Sequence, residues 1–214
     1  FHFWSKEFFH HYYPKHFNFK TIIFGLESPL YEKITPFESR IKNKILNSGG
    51  VGNSKFISKI INKIRNPEFN ALEVYRLRTK CNTLPFVDYT STLKHKFVND
   101  KYSDLLQKYR GSIACSTLTF VVKMLEIPAA GCISFMEVTG KNKCEYVGFQ
   151  DGKNAIFINE NNYRDKFEEF ISEPDNPKWE KISNAGRKFV MEEMNNHKAV
   201  ESLVDLMRKV IDKH

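Results

Sequence analysis

A chain of 214 residues with 41% hydrophobic side chains is long enough for one large domain with a substantial core. No apolar run approaches the roughly 18 residues of a membrane-spanning helix, and the opening FHFWSKEFFHHYYPKHF has neither the aliphatic stretch nor the small-residue cleavage site of a signal peptide. The net charge of +8 is uneven: residues 1–100 hold 16 Lys+Arg against 8 Asp+Glu, residues 101–214 hold 17 against 17.

A field of that kind favours an anionic partner such as a nucleic acid, a membrane surface or a phosphorylated substrate; the alternative is a solvated basic face. Cys81, Cys115, Cys132 and Cys144 are scattered singly, with no C-x-x-C pair, so neither a zinc site nor a disulfide framework is expected and a reduced cytoplasm is the default. Cys115 and Cys132 lie in apolar runs and read as small core hydrophobes. The seven histidines lack partnering carboxylates, and no metal site is expected.

In chain order, residues 1–18 form an aromatic arm or linker interrupted by Pro14. Residues 19–28 read as a strand ended by Gly25 and Ser28-Pro29. Residues 35–50 carry Thr35 as a helix cap, Pro36 at the first helical position, Glu38 three residues after the cap and Gly49-Gly50 as a stop. Residues 55–66 place Phe56, Ile60, Ile61 and Ile64 on one helical face. A short strand is expected near 72–77, a helix over 101–110, buried strands over 111–117, 132–138 and 154–159, and helices over 119–127, 163–172, 177–194 and 197–212. Short apolar strands alternating with amphipathic helices predict an α/β fold: a Rossmann-like parallel sheet with helices on both faces. Ligands of such sheets bind beyond the carboxyl ends of the strands, which singles out the loops 25–35, 115–121 and 138–154.

The loop after the 111–117 strand supplies Ser116, Thr117 and Thr119 at an expected helix start, either as plain capping residues or as a phosphate seat. Glu126 ends an otherwise apolar helix, where an unpaired carboxylate would be costly. It is either paired with Lys123 one turn earlier or accepts hydroxyls from a ligand whose phosphate lies roughly 10 Å away at the helix start. Gly131 permits close backbone approach after Pro128. In the long polar loop that follows, Thr139, Gly140 and Asn142 are nearest the strand end, and Asp151-Gly152 reads as a simple turn.

The run KMLEIPAAGCISFMEVTG, followed by GFQDGKNAIFIN and EEFISEPDNPKWEKISNAGRKFV, resembles the carboxyl-terminal, nucleotide-sugar-binding domain of GT-B glycosyltransferases, nearest the group 1 and spore-maturation (CgeB-like) branches. The resemblance covers about residues 101–195 and, more loosely, 19–50. It implies one GT-B half over residues 19–195, with 1–18 as a linker. It also implies a helix over 196–214 that packs on the domain or returns to an amino-terminal acceptor domain preceding residue 1.

It implies a UDP- or GDP-sugar as substrate, no tightly bound cofactor, and a glycan or lipid-linked acceptor. Glu126 would accept the ribose hydroxyls as the catalytic-site carboxylate, with the diphosphate near Ser116, Thr117 and Thr119. Arg40 or Lys123 would offset its charge, and Gly25, Gly131, Thr139, Gly140 and Asn142 would line the site. The implied location is cytoplasmic, at the inner face of an anionic membrane, with no specific nucleic acid. Group 1 members pair two glutamates separated by seven residues, and the upstream position here is Leu118. That departure favours the alternative of a noncatalytic nucleotide-sugar-binding module; a nucleic-acid-binding domain ranks third.

Overall fold

The structure, a computed structural model, describes residues 6–20, 22, 25–52, 64, 71–91, 101–142 and 144–211. Five strands, β1 (Ile41–Ser48), β2 (Val87–Thr90), β3 (Tyr109–Ala114), β4 (Ile133–Glu137) and β5 (Ile156–Ile158), form one parallel sheet in the order β2-β1-β3-β4-β5. Around it lie α1 (Lys6–Tyr12), α2 (Ala71–Val74), α3 (Arg76–Cys81), α4 (Tyr102–Leu106), α5 (Lys123–Ala129), α6 (Tyr163–Ser172), α7 (Pro177–Glu193) and α8 (Asn196–Ile211). The Rossmann-like α/β architecture expected from the alternation of elements is the one observed.

Successive strand residues point to opposite faces, and both faces are buried. Ile45, Ile113 and Phe135 face one layer with Phe167, Phe170 and Trp179; Leu46, Ala114 and Met136 face the other with Met124, Leu125, Ile127 and Val190. The Phe135 ring meets Phe167 at 4.9 Å and Phe170 at 5.6 Å, both edge to face. Gly111 on the neighbouring strand makes room for that ring, since a Cβ there would sit 2.9 Å from it.

Several expectations are corrected. Residues 35–50 are not a helix. Phe37–Ser39 is a 3-10 turn and 41–48 is β1, because pairing on both sides with β2 and β3 overrides the local helix signals. The Thr35 hydroxyl, expected to cap a helix, donates instead to Gln107 Oε1. Residues 72–77 fall in α2 and α3, broken by a turn at Tyr75, and β2 is an additional strand. Of the strand expected over 19–28, residues 21, 23 and 24 lie outside the described residues. The others are not strand, and Ser28–Tyr31 is a 3-10 turn begun by Pro29. The helix expected over 55–66 lies outside the described residues apart from Ile64, which is helical.

The 101–110 helix ends at Leu106 so that Tyr109 and Arg110 can enter β3. The 119–127 helix begins four residues late, at Lys123, because Thr119 Oγ1 donates to the Phe120 carbonyl rather than capping a helix. The three later helices and strands β3, β4 and β5 lie where expected to within a few residues.

From β1 the chain builds β2 on one side and then returns to lay β3 on the other. That reversal puts the switch point between the carboxyl ends of β1 and β3, the position whose crevice binds ligands in open α/β sheets.

Candidate functional site

The crevice begins at Ser48, Gly49 and Gly50. Gly49 adopts φ +105°, which L side chains rarely enter, and a Cβ there would collide with Lys123 Nζ and lie 3.1 Å from Arg78 Nη1. Two cations from distant segments therefore converge on this turn. Lys123, the first residue of α5, donates to the Ser48 carbonyl at 2.6 Å and to Ser48 Oγ at 3.2 Å, and its ammonium lies 5.5 Å from the Tyr102 ring centre. The Tyr102 hydroxyl is itself 2.6 Å from Ser48 Oγ.

Burial and, after it, the Arg78 charge hold the Lys123 amine down to about 7, partly opposed by Glu126. Arg78, only 3% exposed, stacks against Tyr75 and donates to the Gly50 and Cys115 carbonyls. Its Nε has no partner among the described residues. One amine and one guanidinium thus stand side by side over a glycine turn and set a local positive field there.

Glu126 lies one turn along α5. Burial raises the pKa of its carboxyl, opposed by the Lys123 charge and by the neighbouring Tyr31 hydroxyl. Tyr31, 2% exposed, comes from the 3-10 turn that follows Gly25, and Gly25 lies against Val122 at the edge of the same loop. Of the two sequence alternatives for Glu126, an ion pair with Lys123 within 4 Å is not formed, because Lys123 is turned toward Ser48. The Tyr31 phenol is the other group neighbouring the carboxylate.

A second cluster joins the ends of β3 and β4. Thr117 Oγ1 donates to Glu137 Oε1 at 2.9 Å, Thr139 Oγ1 donates to the Thr117 carbonyl, and Asn142 Nδ2 donates to the Ser116 and Glu137 carbonyls. Asn142 Oδ1 accepts from the Thr139 and Cys144 amides, so this side chain is a fully used structural clamp. Glu137 is 2% exposed; burial pushes its carboxyl up to about 7, with the Thr117 bond and the Arg78 charge opposing. Glu137 Oε2 and Ser116 Oγ have no partner among the described residues. Gly140 stands open, with nothing within 4 Å of where a Cβ would lie.

The structure thus gathers Ser116, Thr117, Lys123, Glu126, Thr139, Gly140, Asn142 and Gly25 around the carboxyl end of the sheet. Ser116, Thr117 and Thr119 are not at a helix start, which lies at Lys123. Arg40 and Gly131 are at the opposite end, ahead of β1 and β4. Arg40 donates to the Thr35, Ala130 and Gly131 carbonyls and is 4% exposed, so it caps the end of α5 and is not placed to meet a diphosphate. Gly131, at φ +70°, is the left-handed residue after that helix.

Sequence reasoning missed Ser48-Gly49-Gly50, Arg78, Tyr31, Tyr102 and Glu137. The available signal was the glycine cluster NSGGVG directly after the apolar Ile45-Leu46 pair. Among the described residues no group of three or more His, Cys, Asp and Glu could hold a metal ion, and no helix is long and apolar enough to cross a membrane.

No protein-family model matches the chain, and no curated protein matches it in sequence. Solved structures do match in fold. A glycosyltransferase from Rickettsia africae superposes with a TM-score of 0.58 over 89% of this chain and 57% of its own, at 12% identity. The C-terminal domain of the group 1 family glycosyl transferase LpcC from Francisella tularensis gives 0.51 over 80% of this chain and 100% of its own, at 9% identity. A point mutant of TarM from S. aureus, solved with fondaparinux, α-GlcNAc-glycerol and UDP, gives 0.51 over 81% of this chain and 37% of its own, at 12% identity. The chain therefore has the fold of one half of a GT-B glycosyltransferase and spans about half, or less, of the larger enzymes it matches.

Proposed function

We propose that the chain is the donor-binding half of a glycosyltransferase that moves a sugar from a UDP- or GDP-sugar to a glycan or lipid-linked acceptor. The convergence of Lys123 and Arg78 on Gly49, one helical turn from Glu126, carries this reading. The cations would take the diphosphate, offsetting the charge that develops as it leaves, and Glu126 would accept the ribose hydroxyls in exchange for the Tyr31 hydroxyl. The motif order argues for the group 1 and CgeB-like branches. Helix α8 would pack on an amino-terminal acceptor domain, and the location would be cytoplasmic, at the inner face of an anionic membrane involved in polysaccharide assembly.

Calorimetric titration with UDP, GDP and their common sugar conjugates tests this. Micromolar, saturable binding lost in Glu126→Ala and in Lys123→Gln is expected; a correctly folded Glu126→Ala that binds as well as the parent would refute the ribose assignment. Leu118 in place of a second glutamate supports the alternative of a noncatalytic binding module. The two readings separate on sugar release from the donor: binding with no turnover by a polypeptide that includes an acceptor domain leaves only the module.

A further inference from the structure

A second groove lies at the far corner of the molecule, at the amino end of edge strand β5, between α6 and the first turns of α7. Its volume is about 550 Å³, within the range of small-ligand sites, and none of its residues belongs to the crevice between β1 and β3. The floor is apolar: Trp179, Ile182 and Ile156 are buried beneath it.

The rim is cationic. Lys153, Lys166, Lys178 and Lys181 line it against one carboxylate, Glu169. Glu169 is engaged by Lys178 at 2.6 Å, and Lys178 also lies 4.4 Å from the Trp179 ring centre. Lys166 reaches Asp151 only at 4.0 Å. Lys153 donates to the neutral Gln150 amide oxygen at 3.0 Å, and neither Lys153 nor Lys181 has an ion-pair partner among the described residues. Both are exposed, while Lys166 and Lys178 are 33% and 38% exposed. Two ammoniums without a carboxylate and a third that is only loosely paired, over an apolar floor, set a local positive field in a region whose overall charge is balanced.

The edge of β5 is closed to strand addition, because Asp151 Oδ1 accepts the Phe157 amide at 2.8 Å and so occupies an edge donor. An extended peptide therefore gains little here, whereas a compact anion gains charge and apolar contact together. We propose that this groove binds an anion bearing two or more negative charges on an apolar frame. That chemistry is shared by a soluble aryl phosphate and by a phosphomonoester lipid.

The test uses the full chain and a Lys153→Gln/Lys181→Gln double variant, both substitutions lying on the surface. In titration calorimetry with 1-naphthyl phosphate, the parent is expected to bind saturably and the double variant about tenfold or more weakly, from the loss of two charge-assisted contacts. Binding to UDP should be unchanged in the double variant. A parallel sedimentation arm uses vesicles of phosphatidylcholine with and without phosphatidic acid. Lysine-dependent capture only by the phosphatidic acid vesicles identifies a lipid source, and lysine-dependent binding of naphthyl phosphate without vesicle capture identifies a soluble one. No binding in either arm, or binding that is indifferent to the two lysines, or naphthyl phosphate binding lost in Lys123→Gln instead, overturns the proposal.

Discussion

Lys123 is neutral above about pH 7 in the fold, whereas in the unfolded chain a lysine keeps its proton to about pH 10. Between those values the unfolded chain binds more protons, so this residue makes the fold more stable as pH rises from 7. Glu137 runs the other way. Its carboxyl is raised to about 7, while the unfolded group loses its proton near about 4.3, so its contribution is present in acid and is lost as pH rises through 7. Thermal melts in a pH series are expected to show the loss between about pH 4.5 and 7 flattened in Glu137→Gln, and the gain above 7 removed in Lys123→Gln.

On the proposed function, the same proton would govern anion binding. UDP affinity of the parent should fall as pH rises through 7, because the neutral amine no longer attracts the diphosphate, and calorimetry in buffers of differing ionisation enthalpy should register proton uptake on binding. Lys123→Gln should bind about tenfold or more weakly and lose the pH dependence. Gly49→Ala should weaken binding, since its Cβ would displace the Lys123 ammonium and press on Arg78 Nη1, and should lower stability by about 1 kcal/mol or more for the positive-φ backbone alone.

Lys123 and Glu126 stood out in the sequence because a charge on an otherwise apolar helix is costly to bury without a partner. Arg78, Tyr31 and Tyr102 did not, because nothing local marks a residue that a distant crossover carries to the same turn.

At the scale of elements, α5 and α7 meet through small residues and carbonyl caps. Arg187 on α7 donates to the Ala129 carbonyl, and Arg40 takes those of Ala130 and Gly131, so the end of α5 is closed by two cations where its exposed dipole is negative. Ser183 donates to the Gly131 carbonyl at 2.8 Å from the same face of α7. Gly186 lets α7 pass close to the turn before β5: a Cβ would lie 2.5 Å from the Asn154 carbonyl oxygen and 3.3 Å from Pro128. The ISNAGR stretch within the quoted run thus has a packing reason.

Gly186→Ala should gain helix propensity yet lower the stability by about 1–3 kcal/mol in denaturant unfolding, because backbone has to move to admit the methyl. An unchanged unfolding midpoint would show that the two elements are free to separate. The legibility of elements follows the same division between local and remote causes. Helix α7 was readable from Pro177 at its start and a buried stripe; β4 was readable as a continuous apolar run. Strand β1 was not: its first half is exposed and polar, Thr35, Pro36 and Glu38 imitate a helix start, and only pairing with β2 and β3 makes it a strand.

Helix α8 sets the question for the whole molecule. Val200, Leu203, Val204, Met207, Val210 and Ile211 are all exposed, at spacings of three and four residues that place them on one side, while Ala199 is buried against the domain. Exposed apolar stripes of this size are characteristic of interaction surfaces. The proposal that α8 returns to an acceptor domain predicts a contrast between two polypeptides. In the isolated chain the stripe should bind an apolar dye or drive self-association, and Leu203→Gln/Met207→Gln should suppress both while altering stability by only about 0.5 kcal/mol, as at exposed positions. In a longer polypeptide carrying the acceptor domain, the same two substitutions should weaken domain docking, seen as faster amide exchange along α8, with UDP affinity unchanged because the crevice lies elsewhere. Equal exchange in the two polypeptides would mean that α8 faces solvent or another partner, and the donor half would then have to close on its acceptor domain through the carboxyl edge of the sheet alone.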